Sequence, residues 1–139
     1  MRKYVEAQKL LRMVDANFNR AKEGLRVCED VCRYGFNRKS LTKQLKGQRH
    51  ALTSAVELLK FKELLTARDI EADVGRSSTK SEFKRENLSD VFYANAQRVK
   101  ESLRVLEEVT KLLDPRCARK LKELRYQFYA LEKTMVARG

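Results

Sequence analysis

Asn17-x-x-Arg20 and Asn95-x-x-Arg98 are one polar pair written twice, 78 positions apart, and between them stands the charged segment Arg68-Asp69-Ile70-Glu71-Ala72-Asp73-Val74-Gly75. These residue types suit a phosphorylated ligand. Two arginines clamp a phosphate through paired N–H donors, and asparagine amides read the edge of a heterocycle or hold a hydroxyl. Aspartates four apart, on one face if the segment keeps a helical turn, bind Mg²⁺ or take a proton. Asp69 and Asp73 are therefore the candidate catalytic and Mg²⁺-holding residues. Asn17, Arg20, Arg68, Asn95 and Arg98 are the candidate substrate- and phosphate-binding residues. A plainer reading stays open beside this one. An arginine at the edge of a core must offset its lost hydration, and pairing with a loop carboxylate would do so while only pinning the loop down.

The elements that must position these residues come from a duplication. ANFNRAKEGLRVCEDV, residues 16 to 31, returns as ANAQRVKESLRVLEEV, residues 94 to 109, the mark of an internal repeat. Apolar residues of the first copy fall at Val14, Phe18, Ala21, Leu25, Cys28 and Cys32, and those of the second at Phe92, Ala96, Val99, Leu103 and Leu106. Alternating steps of four and three put each set in one helical stripe. Two further stripes, Leu41 to Leu59 and Cys117 to Met135, follow the copies at an offset of 76. Each half reads as a helical hairpin, with repeat 1 over about 14–65, a long loop over 66–90 and repeat 2 over about 91–136.

Gly35 is placed to end the first helix, Ser40 to cap the second, and Asp114-Pro115 to start the last. The basic stretch before Asp15 extends the first helix. The expected fold is all-α: a single domain over 1–139, an up-down-up-down four-helix bundle with Leu25 and Leu103 equivalently buried. In that topology the first and third helices run parallel on a diagonal, so both Asn-x-x-Arg pairs and the loop meet at one end. The remaining motif charges, Lys22, Glu23, Arg26, Glu29 and Asp30, read as a solvated face with Glu23–Arg26 and Arg26–Asp30 pairs. The segment Arg68–Gly75 reads as an ordered functional loop, and the stretch beyond Gly75 as a linker. GRSSTKS, residues 75 to 81, is also a weak candidate for a backbone nest around an anion.

The chain carries 31 Lys+Arg against 19 Asp+Glu, a net charge of +12, which favours acidic partners such as phosphorylated metabolites, nucleic acid or an anionic surface. Basic residues scattered among acids, with aromatics at core spacing, argue against nucleic acid. No apolar run is long enough for a membrane span, and the start lacks the apolar core of a secretory signal. Three cysteines without disulfide spacing agree with a reducing compartment and with core packing, so the expected location is cytoplasmic. Phosphate loops of the GxxxxGK[ST] type, zinc spacings and a Ser/His/Asp set are all missing. Oligomeric state stays open, a homo-oligomer included.

DANFNRAKEGLRVCEDVCRY, ARDIEADVG, ANAQRVKESLRVLEEVTKL and LRYQFYALEK together resemble the helical domain that precedes thiamine-phosphate synthase in some bacterial fusion proteins, described as an alternative hydroxymethylpyrimidine-phosphate kinase. The likeness runs over roughly residues 14 to 133. The resemblance implies a role in thiamine biosynthesis, phosphorylating the pyrimidine phosphate to its diphosphate with ATP as co-substrate and Mg²⁺. It also implies thiamine-phosphate synthase as a partner. The family's loop reads closer to RDTxGDVG followed by Thr or Ser; Ile70, Ala72 and Arg76 depart from it, so Arg68, Asp69, Asp73 and Gly75 are the residues that carry over. Two rivals remain: a non-enzymatic helical module that positions the synthase, and a nucleic-acid binder.

Overall fold

The computed structural model describes residues 2–59, 61–77 and 84–137. Among them all regular structure is helical. Helix α1 spans Arg2–Asp30, α2 Lys39–Val56, α3 Phe61–Ala67, α4 Leu88–Thr110 and α5 Pro115–Ala137. The N-terminal extension of the first helix is thus present. Helix α2 ends at Val56, short of the expected Leu59, which still packs against the core, and the separate short helix α3 comes next.

Two of the three expected caps, those at Gly35 and Ser40, are made differently. α1 widens into a π-helical turn over Val31–Gly35, in which Phe36 donates its N–H to the Val31 carbonyl at 3.0 Å and Arg38 to Cys32 at 2.9 Å. The left-handed residue of this reversal is Asn37, with φ 51°, a conformation asparagine tolerates better than most residues. At Gly35 a Cβ would stand 2.7 Å from Leu88 Cδ1, the end of a flexible, half-exposed side chain that can move aside. Ser40 lies inside α2, after the N-cap residue Arg38, and accepts from Gln44. Asp114 does cap α5, accepting from the Arg116 N–H at 3.0 Å. Asn87 caps α4 by accepting from Asp90, whose own carboxylate accepts from the Glu86 N–H.

α1 packs against α2, α3 and α4, while α5 packs against α4 and α2. Cys28 Sγ approaches the Phe92 carbonyl at 3.7 Å, Gly35 sits by Leu88, and Gly24 by Asn95 and Val99. Descending α1 therefore means ascending α4, and the pair is antiparallel. Arg38 at the start of α2 donates to the Thr134 and Met135 carbonyls near the end of α5, so this pair is antiparallel too. The duplicated helices are neighbours, and the expected up-down-up-down order with a parallel diagonal pair does not hold. The connection from α2 to α4 returns along the bundle, as one long crossover permits. Gly24 thereby lies close against α4, at Asn95 and Val99.

Burial follows the apolar stripes. Leu25 and Leu103 are each 2 % exposed, and Phe92, Phe128 and Leu121 are sealed. The three cysteines are free and buried, and burial pushes the Cys28 thiol up to about 12 and Cys117 to about 11. Among the described residues no helix is long and apolar enough to cross a membrane.

The solvated-face expectation fails at one duplicated residue. Glu29 is 2 % and Glu107 3 % exposed. Glu29 holds Arg49 of α2 at 3.0 Å and Arg26 at 3.2 Å. Glu107 holds Arg125 of α5 at 3.1 Å. The pairs correspond between repeats, each tying a duplicated helix to the helix that comes after it in the stripe pattern. Arg26 thus pairs with Glu29 rather than with Glu23 or Asp30.

Gly24→Ala is expected to destabilise the fold despite alanine's better helix propensity. The new Cβ would lie 2.7 Å from Val99 Cγ2 and 3.2 Å from the Asn95 carbonyl oxygen. Val99 is a stiff β-branched side chain and the carbonyl is backbone, so neither yields cheaply. Overpacking of this kind costs about 1–3 kcal/mol, against a propensity gain of about 1 kcal/mol; denaturant melts of the two proteins would show the net loss.

Candidate functional site

α3 places the site. It buries Leu64 and Ala67 against α1, and the chain then leaves along the outer face of α1. Arg68 grips Asp15 of α1 with both arms of its guanidinium, Nε to Oδ2 and Nη2 to Oδ1, each at 2.7 Å. That bond and the Asp15 charge hold the Arg68 guanidinium above its ordinary range. Arg12 ties the next residue, donating to the Asp69 carbonyl at 3.1 Å. Two side-chain-to-backbone turns finish the loop: Asp69 Oδ1 accepts from Ala72 N–H at 3.0 Å, and Asp73 Oδ1 from Gly75 N–H at 2.9 Å, a use of aspartate that fixes tight turns. The exposed segment Arg68–Gly75 is thus a loop tied to α1 through Arg68 and Asp69.

Between this loop and α1 opens a cleft of about 940 Å³. Asn17, Arg20, Arg68, Asp69 and Asp73 all line it, with Val105 of α4 on the far wall. Asn95, Arg98 and Gly75 do not. For Asn95 and Arg98 this agrees with the antiparallel α1–α4 pair, which sets the Asn95 backbone carbonyl against Gly24 and leaves Arg98 exposed. Gly75 has no steric need to be glycine, since a Cβ would meet nothing nearer than Asp73 Oδ1 at 3.5 Å. GRSSTKS lies mostly outside the described residues, as does the part of the expected linker over 78–83.

The asparagines do the same thing in both copies. Asn17 Nδ2 donates to the Met13 carbonyl and Asn95 Nδ2 to Val91, each at 2.8 Å. One amide N–H of each is thus spent on its own helix. Asn17 Oδ1 accepts a long bond from Arg20 Nη1 at 3.4 Å, so Arg20 keeps most of its donors for the cleft. Lys9 and Arg12 also line the cleft. Sequence reasoning misses them and Asp15 because none belongs to the repeat; the one available signal is that Asp15 stands directly before the duplicated motif.

Asp69 and Asp73 are exposed, and each gives one carboxylate oxygen to a loop N–H, which leaves the other for a ligand. Among the described residues no group of three or more His, Cys, Asp or Glu could hold a metal ion. Asp69 and Asp73 are hard oxygen donors of the type Mg²⁺ takes when it binds through one or two carboxylates together with waters and phosphate oxygens.

The chain is thus an all-helical domain whose cleft is lined by four basic residues, Lys9, Arg12, Arg20 and Arg68, and four acidic ones, Asp15, Glu23, Asp69 and Asp73. The chain matches the ThiD2 family over residues 12–134, and it belongs to that family. It is 42% identical over 132 residues to a thiamine-phosphate synthase of Nostoc punctiforme, covering 93% of this chain and 36% of the relative. It is likewise 42% identical over 126 residues to one from Rhodopirellula baltica, covering 90% and 34%. Against one from Synechocystis sp. it is 41% identical over 128 residues, covering 91% and 36%. The chain thus spans about a third of the length of these relatives. No solved structure matches it.

Proposed function

We propose that this chain acts in thiamine biosynthesis, binding hydroxymethylpyrimidine phosphate in the α1–loop cleft and phosphorylating it with ATP. The observation that carries the reading is the cleft itself, which sets Arg20, Arg12 and Lys9 beside the exposed carboxylates Asp69 and Asp73. Membership of a family whose relatives bear the name thiamine-phosphate synthase supports the pathway.

In this mechanism Arg20, with Lys9 and Arg12, holds the substrate phosphate, and the side-chain carbonyl of Asn17 faces the aminopyrimidine. An oxygen of the substrate phosphate attacks the γ-phosphorus of ATP; the new P–O bond forms as the β–γ bridge breaks, and ADP leaves. Charge on the transferring group is spread over its equatorial oxygens, so positioned cations lower the barrier without any covalent enzyme step. Mg²⁺, held by Asp69 and Asp73, would supply further positive charge to the phosphates. Arg68 acts at one remove, fixing the loop through Asp15.

Mixing the chain with the pyrimidine phosphate, ATP and Mg²⁺ and following the diphosphate by phosphorus NMR tests turnover. Asp73→Asn should leave the melting temperature within a few degrees of the parent while abolishing Mg²⁺-dependent turnover. Early unfolding with normal binding once folded would instead make the loop purely structural. The rival reading, a module that positions a synthase, is favoured by the chain's correspondence to one third of synthase-named proteins. It predicts binding to a synthase and no turnover.

A further inference from the structure

A second concavity lies away from the cleft, between the end of α1 and the first three turns of α2, with a volume of about 850 Å³. Seven lysines and arginines line it, together with His50, and the only carboxylate among its walls is Glu29. That carboxylate is buried and already committed to Arg26 and Arg49. Arg33, Lys39, Lys43 and Lys46 are exposed, and no described carboxylate pairs with them. Concentrating this much uncompensated charge in one concavity is unfavourable unless an anion of several charges shares it.

We propose that this groove binds a linear polyphosphate, as carried by a nucleoside triphosphate. Lys39, Lys43, Lys46 and His50 recur at steps of four, three and four, a single face of α2. At 1.5 Å per residue they form a row about 16 Å long. Arg26 of α1 and Arg33 of the π-helical turn line the other wall. At the upper end α2 begins without a side-chain cap and without an acidic residue in its first turn, which leaves the positive end of the helix dipole directed at the same ligand. The volume falls within the range of small-molecule sites, about 300–1,000 Å³.

No Phe, Tyr or Trp side chain lines the groove. Bases therefore gain little stacking surface there, which disfavours single-stranded nucleic acid and makes the phosphate chain, not the base, the recognised part. The expected ligands are thus interchangeable in their bases. The proposal concerns binding and stands independently of the kinase reading, because none of these residues lines the α1–loop cleft.

Calorimetric titration of the full chain with ATP, GTP, inorganic tripolyphosphate and AMP, at one ionic strength, tests it. ATP, GTP and tripolyphosphate should bind with similar affinity, and AMP at least about tenfold more weakly. The exposed double reversal Lys43→Glu/Lys46→Glu should keep the helical circular dichroism and weaken all three polyphosphates about tenfold or more, while binding of the pyrimidine phosphate is unchanged. Tripolyphosphate affinity that survives this reversal in a chain also carrying Arg20→Ala, which weakens the cleft, would overturn the proposal. So would tighter binding of generic duplex DNA with a steep salt slope, which would make the groove a nucleic-acid surface.

Discussion

Glu107→Ala is expected to be among the most destabilising single substitutions in this chain. Glu107 and Arg125 have side chains only 4 and 9 % exposed and meet at 3.1 Å, and Arg125 also donates to Tyr129 at 3.2 Å. Removing the carboxylate leaves a guanidinium that cannot shed its charge in a site with little water. Breaking such a pair from one side costs about 3–5 kcal/mol, and at this chain length that is a fall of roughly 10–20 °C in melting temperature. Replacing both partners, Glu107→Leu with Arg125→Met, removes the buried charge together with its counter-charge and should recover most of the loss. At the matching pair in repeat 1, Arg49 keeps 15 % exposure, so water reaches it and Glu29→Ala should cost less. A double variant as unstable as Glu107→Ala would place the loss in side-chain packing instead.

These ion pairs also show what the sequence could and could not disclose. The apolar stripes were legible because helical period alone selects Leu25, Phe92, Leu103 and Leu121, and burial depends on that period. Glu29 and Glu107 lie just off the stripe, where the period does not separate a core edge from a solvated flank. Only their shared repetition with Arg49 and Arg125, at offsets of 78 and 76, marked them, and a repeat of charge reads equally well as a repeat of surface. Helix direction was less legible still. A connection as long as 57–87 fits either a parallel or an antiparallel third helix, and the choice is made by close contact at Gly24 and Gly35, which becomes visible only with coordinates.

The candidate site was half legible for the same reason. Residue chemistry singled out Asn17, Arg20, Arg68, Asp69 and Asp73, which share one cleft, whereas the inclusion of Asn95 and Arg98 depended on the parallel topology. Asp15 was out of reach, since its importance rests on a partner 53 residues away.

That partnership leads to the final expected result, a thermodynamic cycle across Asp15 and Arg68. Arg68 lies in the cleft, yet its Nε and one Nη already serve Asp15, and the fork geometry suits a carboxylate as well as it suits a phosphate. If Arg68 anchors the loop, Asp15→Asn and Arg68→Lys should each weaken binding of the pyrimidine phosphate. Either change breaks the two-armed bond that holds Asp69 and Asp73 over α1, and lysine cannot reproduce the fork. The double variant should then bind no worse than the weaker single variant, because both changes break one contact, and the coupling should be on the order of 1 kcal/mol or more. If Arg68 instead holds the ligand's phosphate directly, Asp15→Asn removes a competing carboxylate and should leave affinity equal or higher, while Arg68→Lys alone lowers it. Titrating the four proteins with the pyrimidine phosphate separates the two outcomes, with Arg20→Ala as the reference for loss of a direct contact. The 42 % exposure of the Arg68 side chain leaves its remaining N–H donors in reach of a ligand. The anchoring outcome is nevertheless the expected one: the two bonds to Asp15, each 2.7 Å long, fill the fork that a phosphate would need.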